Sequence, residues 1–139
     1  MRLVVDSNVL LSFFKKESST RKIITLVELL ELYTLKSRID ELIKHKNEIC
    51  SKAKITGEEF SRSLVELELF VGVVRDEKVS KFGKGAIKLA PHTEDAPLFA
   101  LALAFQCAIW SNEVAFKNQS RIKVLNTSDL IEILYKNIP

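Results

Sequence analysis

Short apolar runs alternate along the chain with longer stretches in which apolar residues recur at helical spacing. The short runs are rich in Val, Ile and Leu and are bounded by polar residues, which is typical of buried strands. Strands that alternate with helices in this way favour an α/β/α sandwich with a mainly parallel sheet and right-handed crossovers. The predicted strands are Arg2–Val5, LELYTL with its start near Glu31, VGVV before Arg75, AIW before Ser111, and IKVL.

The stretches between these strands carry apolar stripes and capping residues that predict helices. One stripe from Ser37 to Cys50 predicts a single helix, and Thr56 with Glu59 three residues later forms a capping box for the next. The glycine-containing segment DEKVSKFGKGAIKLA is predicted as a loop with one or two helical turns. The other predicted helices follow Asp6, the pair Ser19 and Thr20, Thr93, and Thr127, and the last of them covers NTSDLIEILYKNI.

Composition indicates an ordinary globular protein. The length fits a single domain over residues 1–139 that buries its core without disulfides or a structural metal. Hydrophobic residues make up 47% of the chain, with only four glycines and three prolines, which excludes a disordered or collagen-like protein. The net charge of +3 is compatible with a polyanionic partner but does not establish one.

Cysteine usage and the apolar runs indicate where the protein resides. Cys50 and Cys107 lie far apart, and no paired Cys or His completes a zinc set, so a reduced intracellular protein is expected. Only three apolar residues separate Arg2 from Asp6, too few for a signal peptide. The stretch APLFALALAFQCAIW is interrupted by Gln106 and is too short to span a bilayer. We therefore expect a cytoplasmic protein that does not enter a membrane.

Acidic residues lie next to several predicted strand ends. Asp6 follows the first strand, Glu113 follows AIW, and Asp95, with Glu94 beside it, opens the helix before AIW. Because sites in parallel sheets form beyond the carboxyl ends of the strands, we expect these acids to share one edge. Capping explains each acid singly, since Asp caps helices and helix N-termini favour anions. Crowded carboxylates, however, repel one another unless Mg²⁺ or Mn²⁺ holds them, so the set favours a metal site.

Four stretches carry a family resemblance. VVDSNVLLSFF, IDELIKHKNEI, EDAPLFALALAF, and IWSNEVAF followed by IKVLNTSDLIEIL have an order and spacing that resembles a PIN domain. This is the ribonuclease fold of VapC-type toxins and of RNA-processing nucleases, and the resemblance covers essentially the whole chain. It implies a PIN-like fold and an endoribonuclease that depends on Mg²⁺ or Mn²⁺, with catalytic acids Asp6, Glu41, Asp95 and Glu113.

Within this implied site, the acids have different expected roles. Asp6 and Asp95 are expected to bind the metal directly, and Glu113 is expected to be an outer ligand or to bind a second metal. PIN domains usually carry Asp at the position of Glu113. Glu41, expected in the same outer role, lies opposite the apolar stripe of its helix, on a solvated or groove-facing side. The resemblance alone selects Glu41 over the neighbouring acids Asp40 and Glu48.

Supporting residues and partners follow from the same resemblance. Asn8 and Ser111 are expected to supply hydrogen bonds that orient carboxylates or substrate. Arg21 and Lys22, which open a predicted helix near the Asp6 edge, are expected to hold RNA phosphates. The implied partners are RNA and, for a toxin, an antitoxin protein. Apolar surface on the early helices is compatible with a homodimer but does not establish one.

Two other functions require residues that this chain lacks, and a third stays open. A haloacid-dehalogenase-like phosphatase requires a second Asp two residues after Asp6, where this chain has Asn8. A dinucleotide-binding domain requires a glycine-rich turn after the first strand, and DSNVLL contains no glycine. The alternative that stays open is a PIN-like module that has lost catalysis and serves as an RNA-binding or protein-interaction domain. Glu113 is the residue that keeps it open.

Overall fold

The computed structural model describes residues 1–136 and contains a five-stranded sheet in which every pairing is parallel. The strand order is β3-β2-β1-β4-β5, so the chain reverses its direction of travel across the sheet next to β1. Such a reversal leaves a crevice beyond the carboxyl ends of the two strands that flank it. The strands are β1 (Arg2–Val5), β2 (Glu31–Leu35), β3 (Val71–Val74), β4 (Ala108–Trp110) and β5 (Val124–Leu125).

Helices connect the strands. The α-helices are α1 (Ser7–Phe13), α2 (Ser19–Leu26), α3 (Lys36–Lys44), α4 (Lys46–Ala53), α5 (Gly57–Phe70), α6 (Gly83–Leu89), α7 (Ala96–Phe105) and α8 (Thr127–Lys136). Short 3-10 helices cover Asp76–Phe82, Thr93–Asp95 and Val114–Asn118. None of the helices within residues 1–136 has the length and apolarity needed to cross a membrane.

The sheet is covered on both faces, which is why β1 has no polar alternation. Leu3 and Val5 pack into a core with residues from α1 to α5 and α8, while Val4 packs into a second core with α6 and α7. Residues buried from both faces produce a continuous apolar run rather than an alternating one. The predicted α/β/α sandwich is therefore confirmed, and the sheet is parallel throughout.

The predicted helix from Ser37 to Cys50 is wrong as a single element. The helix is interrupted at His45, whose backbone torsions lie outside the α-helical region. Helices α3 and α4 lie on either side of this residue. Ile39 and Ile49 are buried, whereas Ile43 is 50% exposed, so the apolar stripe is not continuous through the break. The spacing of apolar residues is helical within each half, so the sequence pattern did not indicate the break between them.

The glycine-containing segment is more helical than predicted. Its first half forms the 3-10 helix Asp76–Phe82 and its second half forms α6. Gly83 has ordinary helical torsions, and a Cβ built on Gly85 would lie 3.6 Å from the Leu103 side chain of α7, an ordinary contact distance. Packing of α6 against α7, through the buried Ala86, thus outweighs the low helix propensity of glycine.

The ends of three elements differ from the prediction. Thr93 opens a 3-10 turn rather than the α-helix, which begins at Ala96 with Pro97 in its first turn, where the missing N–H of proline costs nothing. The strand predicted as IKVL is reduced to its last two residues. The cap of α8 is Asn126 rather than Thr127, because Asn126 Oδ1 accepts the Asp129 N–H at 2.7 Å. The predicted continuation of this helix through residues 137 and 138 lies outside the described residues.

Candidate active site

Asp6 is buried at the carboxyl end of β1, with two defined hydrogen bonds. Its Oδ1 accepts the Ser7 N–H at 2.7 Å, and its Oδ2 accepts the hydroxyl of Ser111 at 2.7 Å. Only 6% of Asp6 is exposed, and Ser111 follows the neighbouring strand β4. Asp6 therefore caps α1 and also contacts a residue far away in the sequence. Each carboxylate oxygen has a second lone pair that these bonds leave available.

The loop after β4 is tied to the start of α1. The Glu113 N–H donates to Ser111 Oγ at 3.0 Å, and the Asn112 N–H donates to Asn8 Oδ1 at 3.3 Å. Asn8 and Ser111 thus hold loop and carboxylate in place, which is the geometry that their predicted supporting role requires. The Glu113 side chain is exposed and takes no part in these contacts.

Asp95 lies close enough to Asp6 for their charges to interact. It ends the 3-10 turn before α7 and is half-buried. Burial raises the pKa of Asp95, and the negative charge of Asp6 raises it further, while the positive charge of Arg38 acts in the opposite direction. The fold therefore brings together two of the predicted acids, Asp6 and Asp95, as a mutually repelling pair.

This repulsion predicts a stability effect of Asp95→Asn. A carboxylate whose folded pKa is raised destabilises the folded state above that pKa and has no such effect below its unfolded pKa. In metal-free protein at pH 7, the variant is expected to have a higher thermal unfolding midpoint than the wild type, and the difference should vanish below about pH 4. Thermal melts at both pH values test this. An unchanged or lower midpoint at pH 7 would contradict the inference that burial and the charge of Asp6 destabilise the ionised Asp95 carboxylate.

A groove with a volume of about 810 Å³ runs from Asp95 along α1, α3 and α4. Glu41 lies on its wall, where Oε2 is 3.3 Å from His45 Nε2, and its side chain is 57% exposed. Glu41 therefore faces the groove, one of the two positions that the helical pattern left open, and its role in the site stays a prediction. The charged residues on the groove are Lys15, Arg38, Glu41, Glu48, Lys52, Glu94 and Asp95, together with His45.

The acids do not form a complete metal cluster. Within residues 1–136, no group of three or more His, Cys, Asp or Glu side chains is arranged to hold a metal ion. The pair of Asp6 and Asp95 nevertheless fits the chemistry of Mg²⁺, which is commonly bound through one or two carboxylates and completes its octahedron with water and phosphate oxygens. Neither Glu41 nor Glu113 completes a group of three with this pair within residues 1–136, so the outer or second-metal roles of both residues stay predictions.

The two basic residues predicted to bind RNA have different environments. Arg21 donates to Glu66 Oε2 at 2.6 Å and to the Phe13 carbonyl at 2.9 Å, and its guanidinium lies over the Phe13 ring. These contacts fasten α2 to α1 and α5, so Arg21 has a structural role. Lys22 is exposed. Phosphate binding by either residue stays a prediction.

Two residues at the carboxyl edge of the sheet, Asp76 and Arg38, were not predicted from the sequence. Asp76, just beyond β3, accepts the N–H and the hydroxyl of Ser37 at 3.0 and 2.6 Å, and so caps α3, whose preceding residue Leu35 has no side-chain acceptor. An acid two residues after the end of a strand was the available signal for Asp76. Arg38 approaches the acid pair through contacts at Ser7 and Glu94, and no local pattern distinguished it from other cations.

Comparisons with known proteins identify the family and the fold. The family model of the PIN domain matches residues 4–134. The fold is similar to a structure of VapBC2 from Rickettsia felis bound to a DNA fragment from their promoter, with a TM-score of 0.68 and 16% identity over 91% of this chain and 98% of that chain. A search of curated proteins found no match. The resemblance seen in the sequence is confirmed, and the chain belongs to the PIN-domain family.

Proposed function

We propose that this chain is a metal-dependent ribonuclease that cleaves the phosphodiester backbone of RNA. The observation that carries the proposal is the pair of Asp6 and Asp95, which reach one sheet edge from distant parts of the sequence although their charges repel. A protein that needed only stability would gain by neutralising one of them. Asp95 lines the groove that runs along α1, α3 and α4, and Asp6 directly precedes Ser7, another residue of that groove.

The residues of the site have separate tasks in this reaction. Asp6 and Asp95 hold Mg²⁺ or Mn²⁺, which when bound supplies Lewis acidity toward the scissile phosphate and the attacking water. Ser111 and the Ser7 N–H fix the direction of the Asp6 carboxylate, so little reorganisation is needed on binding. Glu41, which contacts His45 on the groove wall, is assigned to the outer part of the site.

The metal requirement provides the test of the proposal. Purified protein is expected to cleave labelled single-stranded RNA when Mg²⁺ or Mn²⁺ is added, and to lose this activity by at least about a thousandfold in EDTA, because several kcal/mol of charge stabilisation are removed. Adding back excess Mn²⁺ should restore the rate. Cleavage that is unaffected by EDTA would refute the metal requirement, and no cleavage with either metal would refute the ribonuclease activity.

Toxin function is a further part of the proposal. The resemblance to VapC-type toxins and the fold shared with a VapBC2 chain support an antitoxin protein as partner. A small neighbouring reading frame whose product binds this chain and stops cleavage would distinguish a toxin from an RNA-processing enzyme. Homodimer formation and a cytoplasmic location stay predictions.

A second candidate function has its own supporting observation. Glu113 replaces the usual Asp, its side chain is exposed, and the described residues contain no cluster of three acids. These facts favour a module that binds RNA or a protein without cleaving. Metal-independent RNA binding with no cleavage in either Mg²⁺ or Mn²⁺ would support this candidate over the enzyme.

A further inference from the structure

The guanidinium of Arg38 contacts both Ser7 and Glu94, the sequence neighbours of Asp6 and Asp95. Arg38 lies in the first turn of α3, at the carboxyl edge of β2. Its Nη1 donates to Ser7 Oγ at 3.4 Å, and its Nη2 donates to the Glu94 carbonyl at 3.0 Å. Ser7 follows Asp6, and Glu94 precedes Asp95, so the guanidinium is positioned from both sides of the pair.

The charge of Arg38 is not used in an ion pair. Both of its hydrogen-bond acceptors are neutral, and no carboxylate oxygen in the described part of the chain lies within 4.0 Å of its guanidinium nitrogens. Arg2 and Arg21, by contrast, each contact a glutamate. A guanidinium has five N–H groups, and two hydrogen bonds leave three of them for a ligand.

The position of Arg38 on the groove indicates what that ligand is. Arg38 lines the groove with Asp95, and its positive charge acts to lower the pKa of Asp95. The planar fork of arginine matches two oxygens of a phosphate, and the attraction is strongest where negative charge accumulates during reaction. A phosphodiester brought to the acid pair therefore meets a guanidinium that is already held in place.

We propose that Arg38 binds the scissile phosphate of the RNA strand, beside Asp6 and Asp95. This inference rests on the proposed ribonuclease function and adds a substrate-binding residue to it. A purely structural role for Arg38, as a tie between α3, α1 and the turn before α7, would instead affect folding and leave phosphate recognition unchanged.

The test compares Arg38→Ala and Arg38→Lys with Arg62→Ala. Arg62 is exposed on α5 and does not line the groove, so it provides the same loss of charge away from the site. Binding of labelled single-stranded RNA is measured in Ca²⁺ over a series of salt concentrations, and single-turnover cleavage is measured in Mn²⁺. Circular dichroism and thermal melts report whether each variant is folded.

Arg38→Ala is expected to lower kcat/KM about 10- to 100-fold, the usual effect of losing hydrogen bonds to a charged group. It should also reduce the slope of log affinity against log salt by about 0.7, the value for one phosphate contact on a single strand. Arg38→Lys is expected to keep the slope but recover only part of the rate, because lysine lacks the fork. Arg62→Ala should change neither quantity.

The outcomes separate this inference from the proposed function. An unchanged salt slope and rate in folded Arg38→Ala, with an active wild type, overturns the role of Arg38 alone. A wild type that binds RNA without cleaving, and whose slope falls in Arg38→Ala, keeps the phosphate contact and overturns the ribonuclease. A wild type that neither binds nor cleaves RNA overturns both.

Discussion

Asp6→Asn and Asp95→Asn are each expected to slow RNA cleavage in Mn²⁺ by at least about a thousandfold, because each removes one of the two charges that hold the cation. Asparagine has the size of aspartate, and its carbonyl can still accept the Ser7 N–H that caps α1. The loss is therefore expected in kcat with the fold retained. Single-turnover cleavage at saturating protein, together with circular dichroism, provides the measurement.

Asp40→Asn is the matched control for these two variants. Asp40 lies on α3 and pairs with Lys36 on the exposed side of the helix, so the same chemical change removes a carboxylate outside the acid pair. Its cleavage rate is expected to stay within about twofold of wild type, since exposed pairs of this kind contribute little. Full activity in either acid-pair variant, or an equal loss in Asp40→Asn, would refute the assignment of the site.

Phe60→Ala is expected to lower the free energy of unfolding by about 3 to 5 kcal/mol, the usual cost of emptying a buried aromatic site. Phe60 on α5 is 2% exposed and stacks on Phe14, with ring centroids 4.8 Å apart. Phe14 follows α1, the helix that Asp6 caps, so this stack packs α5 against the end of that helix. Urea unfolding, with the slope of the transition compared between variants, measures the effect.

Phe70→Ala provides the comparison on the same helix. Phe70 is 40% exposed, so the same truncation removes less buried surface, and a loss of about 1 kcal/mol is expected. Equal losses in the two variants would show that burial within the core is not the reason for the effect of Phe60→Ala.

Most of the fold could be predicted from the sequence, because its signals are local. Buried strands such as β1 produce apolar runs, and the capping box at Thr56 and Glu59 marks the start of α5 with both of its hydrogen bonds present. The failures concern two segments. The break at His45 interrupts a pattern that is helical on both sides, and the helical form of the segment with Gly83 comes with packing of α6 against α7, which no local pattern records.

The candidate site could be predicted only in outline. Strand ends identified Asp6, and the rule that parallel strands share one functional edge brought Asp95 to it. The role of Glu41 came from the family resemblance alone. Arg38 was missed, because its approach to the acid pair depends on how α3 packs beside α1 and the turn before α7.

The sequence by itself thus determined the alternation of strands and helices, the parallel sheet and the acids at its carboxyl edge. Only the tertiary structure decided which of these acids interact, and that the guanidinium of Arg38 lies beside them. The contact of Ser111 with Asp6 and the effect of Asp6 on Asp95 join residues that are far apart in the chain. Such contacts depend on the relative positions of β1, β4 and α7, and these positions are set by the packing of both cores at once.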